Sequence, residues 1–141
     1  MIRNVFLAIP LSLGLACPVA AADLSRQTPI EVRVDLGTAN NPLVFSPSEF
    51  TFEAGKLYKL VLNNPSTEKH YFSALRFAAA VWSRKVETEK SEVKGAIREI
   101  ELFPGGSAEW YFVPVQAGTF ELICTRKGHA AAGMVGKITV K

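Results

Sequence analysis

Cys124, His129 and Met134 fall at equal intervals in the stretch CTRKGHAAAGM, with four residues between each pair. Thiolate, imidazole and thioether are soft or borderline donors, and such donors select copper or zinc over hard cations. The sequence has one other histidine, His70, and only two cysteines and two methionines in total. Each residue alone has an ordinary explanation: a free cysteine is a small buried hydrophobe, a histidine a surface or hydrogen-bonded residue, a methionine core filler. Their joint spacing argues for a ligand set. A cysteine thiolate, two neutral imidazoles and a more distant thioether make up the inventory of a type 1 copper site, with Cys124, His70 and His129 trigonal and Met134 axial. Zinc suits a cysteine and two histidines as well, but it leaves Met134 without a role.

The N-terminal segment sharpens this inventory. MIRNVFLAIPLSLGLACPVAAAD has Arg3 near its start, an apolar run from Val5 to Ala16 and a small-residue end at Ala20–Ala22. These are the three parts of a secretory signal peptide, with cleavage expected after Ala22. The stretch is also just long enough to be an uncleaved anchor, and Cys17 raises a lipoprotein reading. Pro10, Gly14 and the alanine-rich end favour cleavage, and Gly14 in place of leucine before Cys17 argues against lipidation. Removing residues 1–22 leaves Cys124 as the only cysteine and Met134 as the only methionine. A lone cysteine in an oxidising compartment has no internal disulfide partner, so metal ligation becomes one of its few uses. The expected product is a soluble periplasmic protein of one domain, residues 23–141, because no other apolar run reaches membrane length.

The elements that must place these ligands read mostly as strands. IEVRVDLG alternates Ile30, Val32, Val34 and Leu36 against Glu31, Arg33 and Asp35, the period-two pattern of a half-buried strand. FSPSEFTFEAGK alternates Phe50 and Phe52 between Pro47 and Gly55. LYKLVLNN is apolar enough for a central strand and stops at Asn63, Asn64 and Pro65. AIREIELF and SAEWYFVP flank Pro104–Gly106 and suggest a hairpin. TFELIC and GKITVK complete about seven strands, which with turn signals between them imply an antiparallel sandwich. FSALRFAAAVWSRK, residues 72–85, contains helix formers and no glycine or proline; it reads as a short helix in a crossover, followed by an exposed charged stretch. In TFELIC the alternation puts Phe120, Leu122 and Cys124 on one face. The loop beyond it is expected to turn through Gly128, expose His129 and return at Met134, with Gly133 and Gly136 allowing tight turns.

The residues 118–141, GTFELICTRKGHAAAGMVGKITVK, resemble the C-terminus of cupredoxins, the plastocyanin–azurin superfamily. The copper loop is most similar to that of rusticyanins, which share the four-and-four spacing; azurins have one residue fewer before the methionine. FSPSEFTFEAGKLYKLVLNN followed by His70 resembles the cupredoxin region around the first histidine ligand, so the likeness covers most of residues 43–141. Rusticyanins have a longer N-terminal extension, a serine where this chain has Tyr71, and less charge at the positions of Arg126 and Lys127. The resemblance implies an all-β, cupredoxin-like Greek-key β-sandwich with one short helix in a crossover loop, and a metal site of His70, Cys124, His129 and Met134. It also implies that His129 is the exposed ligand through which electrons pass.

Composition narrows the function further. Hydrophobic residues make up 48% of the 141, enough for a packed core, and a net charge of +3 is too small and scattered for nucleic acid. Two histidines leave none for the additional coppers of an oxidase or nitrite reductase, and no Ser-His-Asp triad forms without a ligand. The expectation is a non-enzymatic, monomeric one-electron carrier that cycles Cu(I) and Cu(II). Its partner would be a redox protein, such as a c-type cytochrome or oxidase, docking near His129 on an apron of Ala130–Ala132. Arg126 and Lys127 either favour an acidic partner face or are simply a solvated loop. The alternative is a periplasmic copper-binding protein for copper handling or tolerance, although no Met- or His-rich tract of the kind tolerance proteins add is present.

Overall fold

The computed structural model describes residues 23–141; the expected signal peptide, residues 1–22, lies outside them. Eleven strands and one helix follow a short 3₁₀ turn at Leu24–Arg26: β1 (Ile30–Leu36), β2 (Phe45–Ser46), β3 (Glu49–Phe52), β4 (Tyr58–Asn63), β5 (His70–Ser73), α1 (Leu75–Ala79), β6 (Val81–Glu87), β7 (Glu92–Val93), β8 (Glu99–Leu102), β9 (Ser107–Pro114), β10 (Gly118–Ile123) and β11 (Val135–Val140). They form two sheets, ordered β2-β1-β4-β9-β6-β7 and β3-β11-β10-β5-β8. The apolar faces of the two sheets share one core, which makes the sandwich that the alternation of side chains implies.

Alternation decides what each strand buries. In β4, Tyr58, Leu60 and Leu62 are buried, and this strand is central between β1 and β9. In β9 the same phase buries Ala108, Trp110 and Phe112. Between the sheets lies an aromatic cluster in which Phe52 meets Tyr58, Phe77 and Phe112 with ring centroids 4.7, 5.6 and 5.3 Å apart. Each such buried side chain contributes about 1.5–3 kcal/mol of burial free energy. Three strand phases then run out of the core into the site. Phe120 and Leu122 of β10 are followed in phase by Cys124, Ile138 of β11 is preceded in phase by Met134, and Phe72 of β5 is preceded by His70. All six are buried. The ligands are thus the ends of the rows of side chains that build the core.

Three expectations are corrected and one, the short helix, is narrowed. The pairing is mixed, because β1 runs parallel to β4 and β3 parallel to β11. AIREIELF and SAEWYFVP do not form a hairpin: β8 pairs with β5 in one sheet, and β9 with β4 and β6 in the other. The Phe103–Gly106 turn passes between sheets, held by Asn64, whose N–H donates to the Gly106 carbonyl and whose carbonyl accepts from Gly105 N–H. The helix in 72–85 shrinks to Leu75–Ala79, because residues on both sides are drawn into β5 and β6. Local propensity yields here to strand pairing and to burial of Phe72 and Phe77. Finally, Gly136 is not in a turn. It lies inside β11, where a Cβ would overlap the carbonyl oxygen of Ser48, and Lys137 N–H donates to that same oxygen at 2.8 Å.

Gly136→Val forces this crossing apart, and overpacking of this kind costs about 1–3 kcal/mol. The expected reading is a lower urea midpoint with an unchanged slope. An unaltered midpoint would contradict the close approach of β11 to the segment leading into β3.

Candidate metal centre

The hairpin of β10 and β11 carries Cys124, His129 and Met134. Its ladder pairs Leu122 with Gly136 and Ile123 with Val135, then extends by one bond, from Cys124 N–H to the Met134 carbonyl at 3.1 Å. Residues 125–133 close the hairpin as a coil of short-range bonds. His129 N–H donates to the Arg126 carbonyl at 3.0 Å, and the His129 carbonyl accepts from Ala132 at 3.1 Å and Met134 at 3.0 Å. The chain reverses at Gly128 and Gly133, both with positive φ, as the sequence suggests. His129 is therefore fixed through both its backbone groups before any ligand arrives.

His70 enters from β5 and meets this loop. The Nδ1 atoms of His70 and His129 lie 3.2 Å apart, and Cys124 Sγ lies 3.9 Å from the first and 3.5 Å from the second. A point in their plane equidistant from all three atoms is about 2.1 Å from each, close to metal–imidazole distances of about 2.0–2.1 Å and slightly inside a thiolate distance of about 2.3 Å. Among the described residues these three are the only group of histidine, cysteine and acidic side chains so gathered that three donor atoms lie within 4.8 Å. Cys124 is a free, fully buried cysteine whose sulfur accepts the Tyr71 N–H at 3.4 Å. Met134 is buried in the same loop and joined through its backbone to Cys124 and His129.

Hydrogen bonds select the tautomer of His70. Asn64 Oδ1 accepts both the N–H and the hydroxyl of Ser66, at 3.1 and 2.8 Å. With its proton so committed, Ser66 Oγ accepts from His70 Nε2 at 2.9 Å. That places the proton of His70 on Nε2 and its lone pair on Nδ1, facing the other donors. Asn64 is itself fully used: its Nδ2 donates to the carbonyls of Glu68 at 2.7 Å and Leu102 at 3.0 Å. Gly37 completes the support, since a Cβ there would come within 2.7 Å of Ser66 Cβ. Sequence reasoning did not pick out Asn64, Ser66 or Gly37. The Asn-Pro-Ser run after β4 was a readable turn signal, because asparagine at such a position caps its own backbone two residues on.

Both imidazoles are held below their ordinary pKa. For His70 the chief cause is burial, then the neighbouring His129 and the Arg126 charge, with Glu68 opposing. For His129 burial again leads, followed by Arg126, with Glu68 opposing. Neutral imidazoles are the form that binds a metal. A thiol and two neutral imidazoles around one buried point, with a buried methionine in the same loop, fit a type 1 copper, which His70, Cys124, His129 and Met134 would hold.

Comparison with known proteins bears on the same residues. Residues 32–141 match the family described as copper binding proteins, plastocyanin/azurin family. The chain belongs to this family. Plastocyanin A/B of Petroselinum crispum is 32% identical over 110 residues, covering 76% of this chain and 97% of that protein. The Copper-resistant cuproprotein CopI of Rubrivivax gelatinosus is 32% identical over 101 residues, covering 69% of this chain but only 59% of that protein. Auracyanin A, a blue copper protein from Chloroflexus aurantiacus, superposes with a TM-score of 0.56 at 23% identity, over 81% of this chain and all of that one, which places the fold among cupredoxins. Copper is the metal of this family, and the set of His70, Cys124, His129 and Met134 is consistent with one type 1 copper.

One expectation about exposure is refined. His129 is only 8% exposed, while His70, Cys124 and Met134 are wholly buried. It remains the one ligand with an edge at the surface. Arg126 also differs from a free loop cation, since it forms an ion pair with Glu68.

Two outcomes follow from this geometry. Ser66→Ala removes the acceptor that orients His70, and loss of such a partner lowers metal affinity about 10–100-fold; competition with a copper chelator reads this, and an unchanged affinity would contradict the tautomer assignment. The metal-free protein should also lose stability as pH falls. Below the ordinary imidazole pKa of about 6.5 the unfolded chain takes up protons that the fold, with its depressed histidines, does not, so acid favours unfolding. Melting of the metal-free protein should occur at lower temperature at pH 5.5 than at pH 7.5, above the range where carboxylates titrate. Equal melting temperatures would contradict two histidines held neutral.

Proposed function

We propose that the protein is an exported, periplasmic one-electron carrier that binds and transforms no substrate. The observation that carries this reading is the closure of the site. Three of the four ligands are wholly buried and the fourth offers only an edge, so a substrate has no route to the metal, whereas an electron can leave through the imidazole of His129. A donor set combining thiolate and thioether with imidazoles serves both Cu(I) and Cu(II). Its rigid hydrogen bonding suits a change of charge without a change of ligands.

The docking face would centre on His129. Ala131, Ala132 and Gly133 are exposed beside it, and Val135 is 45% exposed. Lys127 is an exposed cation with no ion pair among the described residues, which favours a redox partner, such as a c-type cytochrome or an oxidase, with an acidic rim. The expected working form is a monomer. Among the described residues no helix is long and apolar enough to cross a membrane, which agrees with release from the N-terminal signal. The loop's closer likeness to rusticyanins belongs to the same proposal.

A second reading, copper handling or tolerance, is favoured by the similarity to the Copper-resistant cuproprotein CopI. One experiment separates the two. The Cu(II) protein should be intensely coloured, show a reversible one-electron wave and keep its copper through repeated reduction and reoxidation beside a chelator. Cys124→Ser should abolish the colour. Release of copper to the chelator on each reduction would overturn the carrier reading in favour of handling, and a colourless Cu(II) complex would overturn the type 1 site and the carrier reading with it.

A further inference from the structure

Arg126 lies between Cys124 and His129 and reaches across the site. Its backbone carbonyl accepts the His129 N–H at 3.0 Å. Its guanidinium forms an ion pair with Glu68, and the same Nη1 donates to the Lys69 carbonyl at 3.2 Å. Glu68 and Lys69 are the two residues before His70. One side chain thus joins the segment that carries His129 to the segment that carries His70. Apart from the contacts among the donor atoms themselves, the other side-chain bonds between these two segments meet the loop at its start: Tyr71 N–H to Cys124 Sγ, and Ser73 Oγ with Thr125 Oγ1 at 3.2 Å. The side chains of Arg126 and Glu68 are 38% and 44% exposed, and they set opposite charges side by side between the two histidine-bearing segments.

We propose that Arg126 and Glu68 form a charge-balanced clamp: positioning residues that hold the two histidine-bearing segments at the spacing the metal requires, and that cancel each other's field at the copper. Neither residue touches the donor atoms. The inference rests on the copper assignment and, for the role of the charges, on the carrier reading. An ordinary half-exposed ion pair contributes about 0.2–1 kcal/mol, so the clamp has a modest effect on overall stability. Its signature is instead the sign of the effect on reduction potential. Cu(II) carries one more positive charge than Cu(I). Removing the anion at Glu68 therefore disfavours the oxidised form and raises the potential, and removing the cation at Arg126 lowers it.

The test uses Glu68→Gln, Arg126→Gln, the double variant and Arg126→Lys, all copper-loaded. Midpoint potential and the rate of copper loss to a chelator are measured for each. Glu68→Gln should raise the potential, Arg126→Gln should lower it, and the double variant should return close to the unaltered protein. Each single variant should release copper faster, by up to about five-fold, the conversion of the upper end of the pair's energy, and the double variant no faster than either, as for two residues acting as a unit. Arg126→Lys keeps the charge but replaces the rigid, longer guanidinium whose Nη1 reaches both Glu68 and the Lys69 carbonyl with a shorter, flexible ammonium, so it should speed copper loss and leave the potential in place. Potentials that do not move in opposite directions, or release rates that add in the double variant, would overturn the clamp. The colour and reversible wave of the unaltered protein test the carrier reading separately, so either result leaves that reading standing.

Discussion

The structure depends on bringing three electron-rich donor atoms to within 3.2–3.9 Å of one another inside a protein. Two imidazole nitrogens and a sulfur face a common point, with the two Nδ1 atoms set against each other and the sulfur accepting the Tyr71 N–H. Nothing local draws them together. His70 lies on one strand of the second sheet, and Cys124 and His129 belong to a different hairpin. The sandwich supplies the work, because the side-chain rows that end in His70, Cys124 and Met134 begin in the core as Phe72, Leu122 and Ile138. Separating the donors would mean shifting those strands against the aromatic cluster.

Around this frame the site is trimmed by hydrogen bonds that each remove one freedom. Ser66 turns the ring of His70, Asn64 commits the proton of Ser66, and Gly37 leaves room for Ser66 to sit where it does. The Tyr71 amide meets the sulfur of Cys124, and the carbonyl of His129 holds its own loop through two bonds. Ser73 and Thr125 share the Glu99 carboxylate, at 2.6 and 3.1 Å, which pins the start of the copper loop to β5 and β8. A metal that alternates between two charge states gains from such a shell, because fixed ligands leave little to rearrange when an electron arrives.

The sandwich was legible in the sequence from side-chain alternation, and the gathering of His70, Cys124 and His129 from the scarcity and spacing of the donors. Phe120, Leu122 and Cys124 share a face by simple alternation, and the strands around them end at glycine, proline and asparagine. The features that escaped involve long-range choices. Pro104–Gly106 looks like a hairpin turn from its residues, yet β8 and β9 enter different sheets because each finds its partner elsewhere in the chain. FSALRFAAAVWSRK favours helix locally, but Phe72 belongs to the row that leads to His70. Gly136 resembles a turn glycine until the Ser48 carbonyl is placed beside it. Asn64, Ser66 and the Arg126–Glu68 pair act on residues that only the fold makes neighbours.

The central claim is that the fold, rather than the copper, assembles the trigonal donor set. A crystal structure of the metal-free protein tests it most directly. The account predicts His70 Nδ1, His129 Nδ1 and Cys124 Sγ still within 4.8 Å of one another, with Ser66 Oγ still bonded to His70 Nε2. A metal-free structure in which His129 has swung into solvent, or in which His70 has turned its Nδ1 away, would contradict it.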